Sequence, residues 1–104
     1  MITTRIIGRI AKDSKIGENE YGKFISIELA VDDYYNEQNS ITWVSVYSNR
    51  NEHLNLVEQL IKDKLILIEG TLNLSIRKYK NKNYIQISVN ADYIYIVNGQ
   101  ENNK

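Results

Sequence analysis

The residues nearest to a recognisable chemistry lie in the segment Thr42-Trp43-Val44-Ser45-Val46-Tyr47. Successive side chains of a strand point to opposite faces, so if Val44 and Val46 fill an interior, Trp43, Ser45 and Tyr47 share the exterior. Exposed rings four residues apart on one face make a flat stacking surface. Stacking of a nucleobase on such a ring contributes ~1–3 kcal/mol and depends little on which base it is. The competing use of the same rings is packing in a subunit interface or under a loop. A ring beside cations recurs at Arg77-Lys78-Tyr79, followed by Lys80 and Lys82. Four cations within six residues could wall a phosphate path, or could be the solvated tip of a hairpin. In the second case the positive path would fall on Arg5, Arg9, Lys12 and Lys23.

Zero net charge (13 basic, 13 acidic residues) argues against a polyanion partner only until the charges are placed. Residues 24–61 carry Arg50 against Glu28, Asp32, Asp33, Glu37, Glu52 and Glu58, a local charge of −5. Residues 62–82 carry +4 and residues 1–23 carry +2. Local field matters more than the total.

Enzyme chemistry finds few residues to work with. Phosphate-binding, dinucleotide-binding, serine-hydrolase and zinc-protease signatures are all missing. The chain has no cysteine and one histidine, which removes disulfides, thiolate chemistry and any design needing two imidazoles. Asp32 and Asp33 read as a solvated loop pair, and His53 as a surface residue on the first turn of a helix. No metal site or cofactor is expected, and the chain is read as a non-enzyme. With no apolar run near the ~18–20 residues that span a bilayer and no signal-peptide core at the N-terminus, a cytoplasmic protein without membrane contact is expected.

The elements that must position these groups are mostly strands. At 104 residues, one domain is expected, spanning residues 1–98, with a short polar end at 99–104. Period-2 patterning predicts strands over Thr4–Ala11, Lys23–Val31 and Ile41–Ser48, with Ile25, Ile27, Leu29 and Val31 on one face. The polar stretch Lys12–Gly22, with Gly17 and Gly22 as turn residues, reads as a connection, and Asp32–Ser40 as a long loop or β-ribbon. Tyr34 and Tyr35 stand at the start of that second segment. Leu54, Val57, Leu60 and Ile61 fall on one helical stripe, predicting a helix capped by Asn51 and ending near Asp63. A long strand from Leu65 to Ile76 follows, with Gly70 as a bulge or bend. After a hairpin over Arg77–Lys82, with Asn81 and Asn83 as turn formers, come Tyr84–Ala91 and Tyr93–Val97. Three strands, a helix, then two long strands is the order of an all-β, five-stranded oligonucleotide-binding (OB) barrel with one α-helix between strands three and four.

Over nearly its full length the chain resembles the bacterial and phage single-stranded DNA-binding protein family. The matching stretches are Ile6–Asp13, Ser26–Val31, Thr42-Trp43, Leu60–Lys64 leading to Ile68–Leu72, and Ala91–Ile94. The resemblance implies an OB fold that coats single-stranded DNA in replication, recombination or repair, usually as a homotetramer. It places Trp43 at a stacking tryptophan, Tyr35 at a second aromatic, Lys62 at a basic position after the helix, and Arg77-Lys78-Tyr79 at an Arg-Lys-aromatic run. The chain departs from the pattern in three places. Asp13-Ser14 stands where an Asp-Pro pair is common, and Asn49 where a further stacking phenylalanine is expected, a role that Tyr47 could partly take. The acidic-tipped tail that recruits other proteins is not matched, so no tail-mediated partner is expected.

The DNA-binding candidates are therefore Arg9, Lys23, Tyr34, Tyr35, Trp43, Tyr47, Lys62, Arg77, Lys78, Tyr79, Lys80 and Lys82. The partners expected are single-stranded DNA and further copies of the chain, as a tetramer with a dimer as second choice, and a phage or other mobile element is a plausible source. Two alternatives stay open: a dimeric primosomal OB protein, and an OB-like protein-interaction module. A well-formed helix and the Trp43 match favour the first reading over the primosomal one.

Overall fold

The computed structural model describes residues 1–35 and 38–97, with the backbone alone for residues 33–35 and 38–39. Alternation of β-branched and polar residues is converted into five strands: β1 (Thr3–Asn19), β2 (Gly22–Tyr35), β3 (Gln38–Ser48), β4 (Leu65–Tyr79) and β5 (Lys82–Ile96). They close into a barrel in the order β1-β2-β3-β5-β4. All neighbours are antiparallel except β3 and β5, which run parallel over Val44–Tyr47. This is the all-β OB-type architecture the sequence order predicts.

Within the barrel the inward positions are those the period-2 pattern selects, but the same pattern also selects Leu74, Ile76 and Ile85, which lie beyond the core toward the β4–β5 turn and are exposed. Ile25, Ile27, Leu29, Val44, Val46, Ile66, Ile68 and Val89 are buried and pack as one core with Ile10 and Leu60. Each such side chain, fully withdrawn from water, contributes ~1.5–3 kcal/mol. Val31, at the end of the β2 stripe, is half-buried and packs against the core's edge.

The strands run longer than local composition indicates. β1 continues through the polar residues up to Asn19, because Lys12 and then Lys15 to Asn19 pair with β2 in a hairpin ending at Asn19↔Gly22. Gly17 is consequently a strand residue; a Cβ there would stand 2.7 Å from the Phe24 ring, which lies over it. The turn falls at Glu20-Tyr21, where the Tyr21 backbone N–H donates to Asn19 Oδ1 at 2.8 Å and Gly22 takes φ of 116°. Of the two forms open to the Asp32–Ser40 segment, the described residues take the ribbon, extending β2 and β3 with pairing as far as Tyr35↔Gln38. Asn36 and Glu37, and the polar end beyond Val97, lie outside the described residues. The β4–β5 turn is centred on Lys80-Asn81, both at positive φ (51° and 65°), the two-residue geometry that matches strand twist. Asn83, expected in the turn, is paired with Lys78.

Gly70 does mark a register shift, between Glu69↔Tyr93 and Gly70↔Ala91. The extra residue is Asp92, on the partner strand. A Cβ on Gly70 would fall 2.0 Å from the Asn90 carbonyl oxygen, so only glycine allows this approach.

The helix is much shorter than predicted. α1 covers Asn51–Leu54, and the chain then continues to Leu60 largely in i→i−3 turns, such as Leu56 to His53 and Val57 to Leu54. Asn51, His53, Asn55 and Val57 are weak helix formers, and the apolar stripe alone does not offset them. The N-cap is Arg50 and no side chain caps the helix. Leu60 is buried, but Ile61, expected on the same stripe, is exposed. His53, read as a surface residue, is buried at 4% exposure. Its Nδ1 meets the Ser48 hydroxyl, whose oxygen accepts the Arg50 N–H at 3.2 Å. Among the described residues no helix is long and apolar enough to cross a membrane, and no three His, Asp or Glu side chains gather as a metal site.

Candidate nucleic-acid interface

Register places the candidate residues on the barrel surface. Arg9, Ala30 and Trp43 stand abreast across β1, β2 and β3. The next outward row is Lys12, Glu28, Ser45, Ser88 and Asn73, and the one after it Lys15, Ser26, Tyr47, Asn90 and Thr71. Trp43 and Tyr47 therefore share one outward face, and a file of three cations runs along its β1 side. Trp43 is 57% exposed while Val44 and Val46, on either side of Ser45, are buried.

Lys12 and Lys15 are three residues apart and would alternate out of phase in a regular strand. Two register shifts in β1, between Ile10 and Lys12 and between Lys12 and Lys15, bring both beside the outward residues of β2. Phe24 also belongs to this face, packed edge to face against Tyr47 with ring centres 6.3 Å apart. The signal for Phe24 was in the sequence: with Ile25, Ile27 and Leu29 inward, Phe24 must point outward. For Lys12 and Lys15 local pattern carries no signal, since the shifts depend on pairing.

The face has acids at its centre and rim. Glu28 accepts the Ser45 hydroxyl at 3.1 Å, and Asp32 lies 3.9 Å from Arg9. Lys23 pairs with Glu18 across the β1–β2 hairpin. Lys62 sits beside β1, its backbone N–H donating to Asp13 Oδ1 at 2.8 Å. Tyr34 and Tyr35 extend the β2–β3 ribbon, paired with Asn39 and Gln38.

The basic hairpin divides by face. Pairs Arg77↔Tyr84 and Tyr79↔Lys82 continue the outward side of Asn73 and Ser88, so two cations and two rings extend that surface. Lys78, paired with Asn83, projects from the opposite side together with Ile76 and Ile85. Lys80 is in the turn, with Nζ 5.3 Å from the Tyr79 ring centre, a cation–π contact. The arrangement can stack bases on Trp43, Tyr47, Tyr79 and Tyr84 and hold phosphates along Arg9, Lys12, Lys15, Arg77 and Lys82.

A second exposed surface adjoins the ring-bearing face on its β4 side, where Leu65 pairs with Arg9. Ile7, Leu65, Tyr95 and Val97 point outward from β1, β4 and the end of β5, and Tyr93 stacks on Tyr95 at 6.2 Å. Arg5 and Glu69 form an ion pair at 2.6 Å at its rim.

No protein-family model and no curated protein sequence matches the chain. Among solved structures it is similar to the small single-stranded DNA-binding protein of Streptomyces coelicolor, with a TM-score of 0.77 and 18% identity over 92% of this chain and 94% of that one. It is also similar to the Plasmodium falciparum SSB in complex with ssDNA, with a TM-score of 0.72 and 15% identity over 93% and 95% of the two chains. At these identities the likeness establishes the shared fold.

Proposed function

We propose that this protein binds single-stranded DNA, stacking bases on Trp43 and Tyr47 and following the phosphates with the cations of β1 and the outward side of the β4–β5 hairpin. The observation that carries the reading is the exposed tryptophan abreast of Arg9, on one face with Lys12, Lys15, Phe24 and Tyr47. A groove for single strands needs rings and positive charge at the same place, and this face supplies both. The names of the two similar structures point the same way. Binding without catalysis is sufficient to protect a strand during replication, recombination or repair.

The discrimination from a primosomal OB protein rests on Trp43 and not on the helix, which is a single turn. Self-association belongs to the same reading. The apolar flank of Ile7, Leu65, Tyr95 and Val97 is suited to packing copies together, and several barrels on one strand raise the effective affinity steeply.

The test is a fluorescence titration with oligo(dT) over a series of salt concentrations. Binding should weaken linearly in log K against log salt, because displaced counterions belong to a polyanion complex. An absence of salt-dependent binding overturns the reading and leaves the protein-interaction module as the alternative.

A further inference from the structure

At one end of the Trp43–Tyr47 face, between the β1–β2 turn and the end of β3, lies an open cleft of about 470 Å³. Its rings are Tyr21, Phe24 and Tyr47, the last two held edge to face. Its polar lining includes Lys23, Asn19, Asn49 and Asn90. A ring wall with a few convergent polar groups is the usual make-up of a small-ligand site, and this volume lies within the usual range.

The hydrogen-bond inventory of the lining is lopsided. Lys23 can only donate. The Oδ1 of Asn19 is already taken by the Tyr21 backbone N–H, which leaves its amide NH₂ to face a ligand. Asn49 and Asn90 each bring a donor and an acceptor. Ser48, at the edge of the cleft, is engaged with Arg50 and His53. Donors therefore exceed acceptors around a space walled by rings. On the edge that faces the major groove in a duplex, thymine presents O4 and guanine O6 and N7, all acceptors, whereas adenine and cytosine present the N6 and N4 amino groups, which would compete with Lys23 and Asn19 as donors.

We infer that this cleft seats one nucleobase against Tyr47 and Phe24 and favours thymine or guanine, whose O4 or O6 accepts, over cytosine or adenine, whose N4 or N6 amino group donates at the same position of that edge. The inference rests on the single-strand reading of the face and adds to it a preference at one position of a strand otherwise held without regard to sequence.

Two labelled strands of equal length, about 16 nucleotides or the upper end of what one OB fold covers, test it by anisotropy at fixed salt. One alternates thymine and guanine, the other cytosine and adenine, so phosphate number and purine content match. The native protein should bind the thymine–guanine strand roughly fivefold more tightly, the discrimination of about one hydrogen bond. Lys23→Gln adds an acceptor at a donor-only position and Asn90→Asp removes an amide donor, both at exposed positions, and together they should bring the ratio to about one or invert it. Lys23→Gln alone should move it in the same direction, so the test survives if the double variant fails to fold. Equal or reversed native affinities overturn the inference while leaving strand binding intact, and an unchanged ratio in the variants removes it from this cleft. Binding to neither strand instead overturns the proposed function.

Discussion

Trp43 is exposed while its neighbour in sequence, Val44, is buried, so binding and folding separate at adjacent residues. Trp43→Ala should weaken oligo(dT) binding by ~1–3 kcal/mol and leave the denaturation midpoint nearly unchanged, because an outward ring contributes little to the core. Unfolding as the main effect would make the ring a core residue and reverse the face assignment. Tyr47 differs, since its ring is half-buried against Phe24, and Tyr47→Ala should cost stability as well as affinity. His53 gives a pH signature. Burial is the main cause holding its pKa below the ordinary value; Glu52 and Asp92 act in the opposite sense and Arg50 in the same one. The Ser48 oxygen accepts the Arg50 N–H, so its proton is free for His53 Nδ1, the acceptor of the neutral ring. The unfolded imidazole, with a pKa of about 6.5, takes up a proton before the folded one does. Stability should be full above that pH, fall as the pH drops through the interval down to the folded pKa, and level off below it. Urea midpoints measured across this interval check the slope, which His53→Gln should abolish.

Each element turns residue pattern into a surface, and the β4–β5 hairpin shows how. Neutralising Arg77, Lys78, Lys80 and Lys82 together should flatten the dependence of log K on log salt by up to ~0.7 for each phosphate that the hairpin no longer neutralises. The pair Arg77 and Lys82, which shares the outward face with Tyr79 and Tyr84, should account for more of the change than Lys78. An unchanged slope would leave the hairpin merely solvated and the phosphate path on Arg9, Lys12 and Lys15. Gly70 is the element-scale constraint on the core: Gly70→Ala drives a methyl into the Asn90 carbonyl and should destabilise by about 3 kcal/mol or more, read as a lowered denaturation midpoint. The same elements show what sequence can and cannot carry. The inward isoleucines and valines, the outward Trp43 and the Gly70 irregularity were legible, because strand periodicity and glycine's lack of a side chain are local properties. The full reach of β1 and of the β2–β3 ribbon was not, since their polar residues are strand only by pairing with a neighbour. The helix was overread from its apolar stripe, and His53 was misplaced because its burial depends on Ser48. Lys12 and Lys15 join the ring-bearing face through register shifts that no local pattern encodes.

At the scale of the whole molecule, the ring-bearing face and the apolar flank do different work. Outward Ile7, Leu65, Tyr95 and Val97 are apolar side chains that a lone barrel leaves in water, and face-to-face packing about a two-fold axis would bury them. The strand edge supplies a second way to associate. Thr3–Gly8 pair with β4, while the pairing of β1 with β2 begins at Arg9 and β2 closes up to Gly8, so among the described residues Thr3–Ile7 pair with no strand on their other edge. An open edge is a template for pairing with another copy. Two different two-fold contacts, one by edge and one by face, generate a closed tetramer, whereas either alone stops at a dimer. Light scattering should therefore return a tetramer at micromolar protein, and a clean monomer there would sink the proposal. Tyr95→Lys with Val97→Lys places charge on the packing face, away from the β1 edge, so it should yield a dimer. Such a dimer should bind an oligo(dT) short enough for one barrel as tightly as the native protein does. On a long strand it should bind more weakly, because fewer linked barrels lower the effective concentration of the next contact. Equal loss on short and long strands would mean that these substitutions damaged the binding face itself, and that the apolar flank is not where copies meet.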